Sequence, residues 1–258
     1  MPALWSPAMA ARGRRKQNAA GKPGTAARWL RRCLGFVVAV APLLVVASIG
    51  PILALRSVPP PTSAYMLQSR SADPATGEAC KEVAYHWVDR ADISAHLKLA
   101  VVVAEDQRFL LHAGFDTKSI RRALRERDRG RIRGASTISQ QVAKNLFLWS
   151  GRSYFRKGIE AWLTFWIEAL WSKQRTLEIY LNLAQFGPCL FGAGAASERF
   201  FEVAPADLSP DQAALLATVL PNPLKLRAHN PGPYARERRE EILALMASQR
   251  GHRHLQGL

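Results

Sequence analysis

The spacing of apolar and polar positions divides the chain near residue 56. From Leu34 to Leu55 it reads LGFVVAVAPLLVVASIGPILAL, without a single charge. At about 1.5 Å per residue this run reaches across a hydrocarbon core of roughly 30 Å. It predicts a transmembrane helix, and Pro42 and Pro51 do not overturn that, because membrane helices tolerate proline better than soluble ones. The run is longer than the apolar part of a secretory signal and no tidy small-residue cleavage site follows it, so an uncleaved anchor is expected. Beyond it, apolar residues recur at helical spacing over Ile93–Leu111, Thr117–Arg127, Thr137–Leu148, Tyr154–Trp171, Arg175–Asn182, Ala193–Phe201, Pro210–Leu220 and Arg236–Ser248. Thr137-Ile-Ser-Gln140 and Ser209-Pro-Asp-Gln212 both have the capping-box pattern. Before these helices, VPPPT at Val58–Thr62 predicts a stiff spacer. Met66–Asp92 is mixed, with a short strand expected over Glu82–Trp87 and turns at Asp73-Pro74 and Thr76-Gly77. The expected fold is therefore mainly α. Its parts are a basic, disordered cytoplasmic tail (1–33), a transmembrane anchor (34–55), a Pro-rich spacer (56–65) and one domain (66–258).

Charge adds an orientation. Nine of the 36 Lys and Arg residues lie at or before Arg56, with no acid among them, so more than half of the +16 net charge belongs to the tail and anchor flanks. Arg28, Arg31 and Arg32 precede the apolar run and Arg56 alone follows it, which places the N-terminus in the cytoplasm and the domain outside. The three cysteines, Cys33, Cys80 and Cys189, have no metal-ligand spacing, so a zinc site is not expected. Cys80 and Cys189 could pair in an oxidising compartment or remain as two thiols; spacing leaves both open.

Three stretches carry candidate chemistry. AEDQRFLLHAG (Ala104–Gly114) puts Glu105 and Asp106 at the end of a run containing Leu97, Leu99 and Val101–Val103. A carboxylate delivered from so apolar a surface has its pKa raised by desolvation, which suits a general base near neutral pH. GASTISQQVAKN (Gly134–Asn145) places Thr137, Gln141, Lys144 and Asn145 on one side of a helix, with amides, a hydroxyl and an ammonium suited to sugars and phosphates. In RKGIE, Arg156 and Lys157 stand four and three residues before Glu160, at the head of the aromatic stretch AWLTFWIEALW. Arg121, Arg122, Arg125, Arg127, Arg129, Arg131 and Arg133 crowd the span between, a solvated face or a contact for anionic headgroups. Without interleaved aromatics, and outside the cytoplasm, that span is not expected to bind nucleic acid.

EDQRFLLHAG, GASTISQQVAKN, RKGIE, KQRTLEIYLN (Lys173–Asn182) and AALLATVLPNP (Ala213–Pro223), in that order, resemble glycosyltransferase family 51, the peptidoglycan glycosyltransferases. The resemblance covers roughly Pro59 to Met246. It implies a lysozyme-like α-helical domain that polymerises lipid II, and the growing lipid-linked glycan, on the outer face of the bacterial cytoplasmic membrane. Glu105 matches the catalytic glutamate, which takes the proton of the acceptor 4-hydroxyl. Glu160 matches the second glutamate, with a positioning or electrostatic role, and Lys144 and Arg156 match residues that bind the diphosphate. Gln141, Ser136, Lys157 and Asp106 are assigned to the substrate. Gln140, His112, Glu178 and Tyr180 are expected to be structural, and Asn182 to fix the turn into Gln185–Gly187. Gln185 and Cys189 depart from what relatives commonly carry there.

A departing diphosphate calls for cations, whereas a hydrolase of similar fold uses a protonated acid and often a second carboxylate, with no need for cations between them. A divalent ion, Mg²⁺ or Mn²⁺, could bridge the diphosphate, although no residue specifies one. With no Ser-x-x-Lys motif, only glycosyl transfer is expected. Two alternatives stay open on the residues alone: a lytic transglycosylase or lysozyme-like hydrolase, and a non-enzymatic membrane-tethered scaffold binding precursors or other cell-wall synthesis proteins.

Overall fold

The computed structural model describes residues 25–73, 76–127, 136–151, 153–223 and 225–248. It has two compact units, Met1–Val46 and Ala47–Leu258. The described part of the first belongs to α1 (Thr25–Leu55), whose stretch Trp29–Leu55 is long and apolar enough to cross a membrane. Leu34, Phe36, Val38, Leu43 and Leu44 are exposed along it. Helix begins at Thr25, earlier than the expected end of the tail at residue 33, because Ala and Leu among these residues favour helix and no breaker intervenes; residues 1–24 lie outside the described part.

In the second unit the order is α2 (Ala64–Ala72), α3 (Ala95–Glu105), α4 (Thr117–Arg127), α5 (Ile138–Phe147), α6 (Tyr154–Leu170), α7 (Lys173–Leu183), β1 (Gln185–Gly187), β2 (Leu190–Phe191), α8 (Ala193–Phe201), α9 (Pro210–Val219) and α10 (Pro233–Ala247). α3 is apolar on nearly every side and becomes the central helix. Leu97 and Leu99–Val103 are all buried, and α9 and α10 pack against it. Burial of each Leu or Val side chain contributes about 1.5–3 kcal/mol. α5 packs on α6 and α7.

Polar caps start these helices where the sequence places them. Thr137 with Gln140 and Ser209 with Gln212 form complete capping boxes. Ser63, Ser94, Ser153 and Ser172 also accept backbone N–H bonds at helix starts. Such a cap is worth about 1 kcal/mol.

Four expectations are corrected. The helix predicted over Ile93–Leu111 stops at Glu105, where Asp106 leaves helical geometry, and Phe109–Leu111 forms a separate 3₁₀ turn. The strand over Glu82–Trp87 reduces to one bridge, Ala84 with Leu190, because the adjoining hairpin is only two short strands. Residues 56–65 do not stand clear as a spacer: Pro60 is buried and its carbonyl accepts from the Tyr85 hydroxyl at 3.0 Å. Arg175 donates to the carbonyls of Leu55 at 2.9 and 3.0 Å and of Val58 at 2.7 Å, capping the end of α1, while Trp171 Nε1 donates to Ile52 O. Asn182 does not fix a turn. Buried, it acts as a one-residue strand partner to Val88, accepting from its N–H and donating to its carbonyl, each at 2.8 Å.

Candidate active site

Glu105 is the last residue of α3 and is half-buried. Its Oε2 accepts the side-chain amide of Gln141, from α5, at 2.8 Å. Tyr180, fully buried on α7, donates its hydroxyl to Gln141 Oε1 at 3.3 Å. That bond decides which way the amide points, since a phenol that keeps its proton selects the amide oxygen. Burial, with the charges of Glu105 and Asp106, pushes the Tyr180 pKa well up, so it stays a donor.

Burial also raises the Glu105 pKa. The Gln141 bond and the positive charges of Arg238 and Lys144 pull it back, and Asp106 adds to the rise. A carboxylate so placed is a proton acceptor of increased basicity.

Asp106, expected at the substrate, is instead turned inward and engaged. Both its oxygens lie 3.0 Å from His112 Nε2, and Oδ2 accepts the backbone N–H of Ile138 at 3.1 Å. The N–H is one of those left open at the start of α5, where a carboxylate is favoured. Asp106 thus couples the end of α3 to the helix that carries Gln141 and Lys144. Thr137 adds a second tie, donating to Gly114 O at 2.6 Å.

Lys144, one turn beyond Gln141, holds its ammonium 5.3 Å from the centroid of the Tyr65 ring, and no ion pair joins it among the described residues. Burial lowers its pKa; Glu160 and Glu105 oppose that, and Arg156 and Lys157 reinforce it. All four groups therefore act on one ammonium. Arg156, in the first turn of α6, is buried and pairs with Glu160 at 3.1 Å. Lys157 pairs with the other Glu160 oxygen from a half-exposed position. Glu160, only 2 % exposed, is thus held between two cations. Arg156 Nε is buried without a partner among the described residues, an unspent donor. Ser136 is exposed just before α5.

Two neighbours were not expected from sequence. Tyr65 of α2 stands against Lys144, its pKa raised by burial with Arg156 and Glu160 acting on it in opposite senses. Its only sequence cue is its place in PPPTSAYM. Arg238 of α10 donates to Ala104 O at 3.3 Å; within RERREEIL it reads as one more solvated charge. Of the arginine-rich span, Arg121, Arg122 and Arg125 are exposed on α4, and Arg129, Arg131 and Arg133 lie outside the described residues. Helix α6 buries Leu163 and Ile167 yet leaves Tyr154, Phe155, Trp162 and Phe165 exposed. Cys80 and Cys189 form a disulfide.

A carboxylate made more basic by burial, with Lys144, Arg156 and Lys157 on α5 and α6, is a set of groups that glycosyl transfer can use. The chain belongs to the transglycosylase family, whose model matches residues 74–247. It is similar to the biosynthetic peptidoglycan transglycosylase of Pasteurella multocida (strain Pm70), 46% identical over 217 residues, covering 84% of this chain and 88% of that one. It is similar to that of Salmonella paratyphi B, 50% over 199 residues, 76% and 82% covered. The same holds for that of Xanthomonas oryzae pv. oryzae, 47% over 209 residues, 81% and 85% covered.

Proposed function

We propose that this chain is a membrane-anchored peptidoglycan transglycosylase that polymerises lipid II into β-1,4-linked glycan. Glu105 takes the proton from the 4-hydroxyl of the acceptor sugar as that oxygen attacks the anomeric carbon of the donor. The bond from that carbon to the diphosphate oxygen breaks, the configuration inverts, and undecaprenyl diphosphate leaves. Lys144 and Arg156 stabilise the charge that collects on the diphosphate, with Lys157 at the rim. Glu160 is a positioning residue that holds the two cations of α6. Gln141 orients Glu105, and Ser136, exposed just before α5, contacts the substrate.

The observation that carries this reading is the placement of Gln141 and Lys144 one turn apart on α5: Gln141 donates to Glu105 Oε2 at 2.8 Å, while Lys144 has no ion-pair partner among the described residues and is a cation left for a diphosphate. A hydrolase often uses a second free carboxylate, and both Glu160 oxygens are held by cations, which favours transfer over hydrolysis. Among the described residues, the group of metal-ligand type is Asp73, Cys80 and Cys189, and its sulfurs are bonded to each other. Among the described residues the side chains therefore offer no fitted cage. A Mg²⁺ or Mn²⁺ ion bridging the diphosphate would take its ligands from phosphate and water, and no step here depends on one.

The apolar helix and the exposed aromatics of α6 suit an anchor and a lipid-linked substrate. The positive-inside bias and the disulfide support placing the domain on the outer face. The test is polymerisation of labelled lipid II by the purified full chain. Glycan should form with the wild type and fall by roughly 10²–10⁴-fold with Glu105→Gln. Lys144→Met should lower turnover while a neutral preformed glycan is left uncut. Absence of polymer from wild-type protein, where a relative is active, overturns the proposal.

A further inference from the structure

We infer that Arg238 is a positioning residue for Glu105: from α10 it holds the carboxyl end of α3 and keeps Glu105 ionisable as a base. The inference rests on the reading of Glu105 as proton acceptor. The final carbonyls of a helix lack intrahelical partners, and the partial negative charge of the helix dipole gathers there. Glu105 occupies that end of α3, so the helix itself and the surrounding burial both disfavour its charge. Arg238 answers both, because Nη2 donates to the carbonyl of Ala104, the residue immediately before Glu105, at 3.3 Å.

The remaining charged groups around Glu105 do not duplicate this role. On α3's own end, Asp106 works against ionisation, and on α5 Lys144 works for it from the diphosphate side. Tyr180 of α7 retains its proton. The ionisable residue of α9 is Asp211, which faces Arg239 at 3.3 Å. Adjacent arginines thus part company. Arg239 turns to the surface carboxylates Asp211 and Glu240, while Arg238 reaches across to α3. Its other nitrogen lies 2.6 Å from Glu241, one turn along α10. That carboxylate is half-exposed, so solvent weakens its pull on the guanidinium without removing it.

The test compares pH profiles of kcat/KM for lipid II polymerisation by the full chain. Arg238→Gln keeps a donor and loses the charge; its acid limb should move up by roughly half a unit, with several-fold loss below the limb and recovery above it. Arg238→Lys should keep the wild-type limb, as should Arg236→Ala, which alters an exposed arginine of the same helix. Glu241→Gln, which leaves the Arg238 charge uncompeted, should move the limb down by a few tenths of a unit. It remains informative if Arg238→Gln does not fold. A limb unmoved in Glu241→Gln, or rates lowered equally at all pH in Arg238→Gln, assigns Arg238 to fold stability alone and overturns the inference. Wild-type turnover by Glu105→Gln would instead overturn the assignment of the base.

Discussion

Gln141 donates its side-chain amide to Glu105 Oε2 at 2.8 Å. Because an amide nitrogen only donates, this bond favours the ionised carboxylate and limits the rise that burial imposes. It also fixes the direction of the free oxygen. Gln141→Leu is expected to reduce kcat by roughly 10–10²-fold through misplacement of Glu105 and to move the acid limb of the pH–rate profile upward. A rate loss with an unmoved limb would separate placement from electrostatics and remove the second half of this argument.

The raised Glu105 pKa has a consequence for stability whose sign can be worked out. Folding increases this carboxyl's affinity for its proton above the ordinary value of 4.5. The folded state therefore binds the proton more tightly, and stability declines as pH rises from the unfolded-chain value through the folded one, with the full penalty above it. Glu105→Gln removes the penalty. Thermal unfolding should show this variant more stable than wild type at neutral pH, by roughly 2–4 °C for each kcal/mol released. The two should coincide once pH falls below the unfolded carboxyl range.

The helical frame was legible because its cues are local. The capping boxes at Thr137 and Ser209 and the apolar run before Glu105 each depend on residues within a turn or two. Glu105, Lys144, Arg156 and Glu160 could be picked out by residue type and order; in the fold Glu105 meets the helix of Lys144 through Gln141, and Arg156 pairs with Glu160. What stayed hidden depends on distant partners. Asp106 looks like a second functional acid until Ile138 N–H and His112 are placed beside it. Arg238 is separated from Ala104 by 134 positions. The Pro-rich segment reads as a free spacer until Arg175 and Tyr85 reach its carbonyls.

Gly114 marks a close approach that a methyl group would break. It has φ +81°, a region that favours glycine, and a Cβ there would lie 2.9 Å from both Glu168 Cγ and Thr164 Cγ2 of α6. Its carbonyl also receives Thr137, the cap of α5. Gly114→Ala is expected to cost about 1–3 kcal/mol, read from denaturant midpoints. Activity should fall beyond the loss of folded protein, since the displaced cap carries the helix of Gln141 and Lys144.

The Cys80–Cys189 disulfide closes a span of 109 residues and secures the β1–β2 hairpin to the end of α2. Asp73 reinforces the junction, accepting from the Cys189 backbone N–H and the Gln185 amide, each at 2.9 Å. Loop closure of this length restricts the unfolded chain, a stabilisation of about 2–4 kcal/mol. Replacing both cysteines by serine should lower the melting temperature by roughly 5–15 °C, and reductant should do the same to wild type only. Among the described residues, no hydrogen bond or ion pair joins the hairpin to Glu105, Lys144 or Arg156. The rate per folded molecule should therefore persist in the double variant at low temperature. A domain that depends on this bond is most stable where thiols are oxidised, so wild type and double variant should differ most in steady-state amount when the chain is exported across the membrane. Equal melting temperatures with and without reductant would contradict the assigned stabilisation.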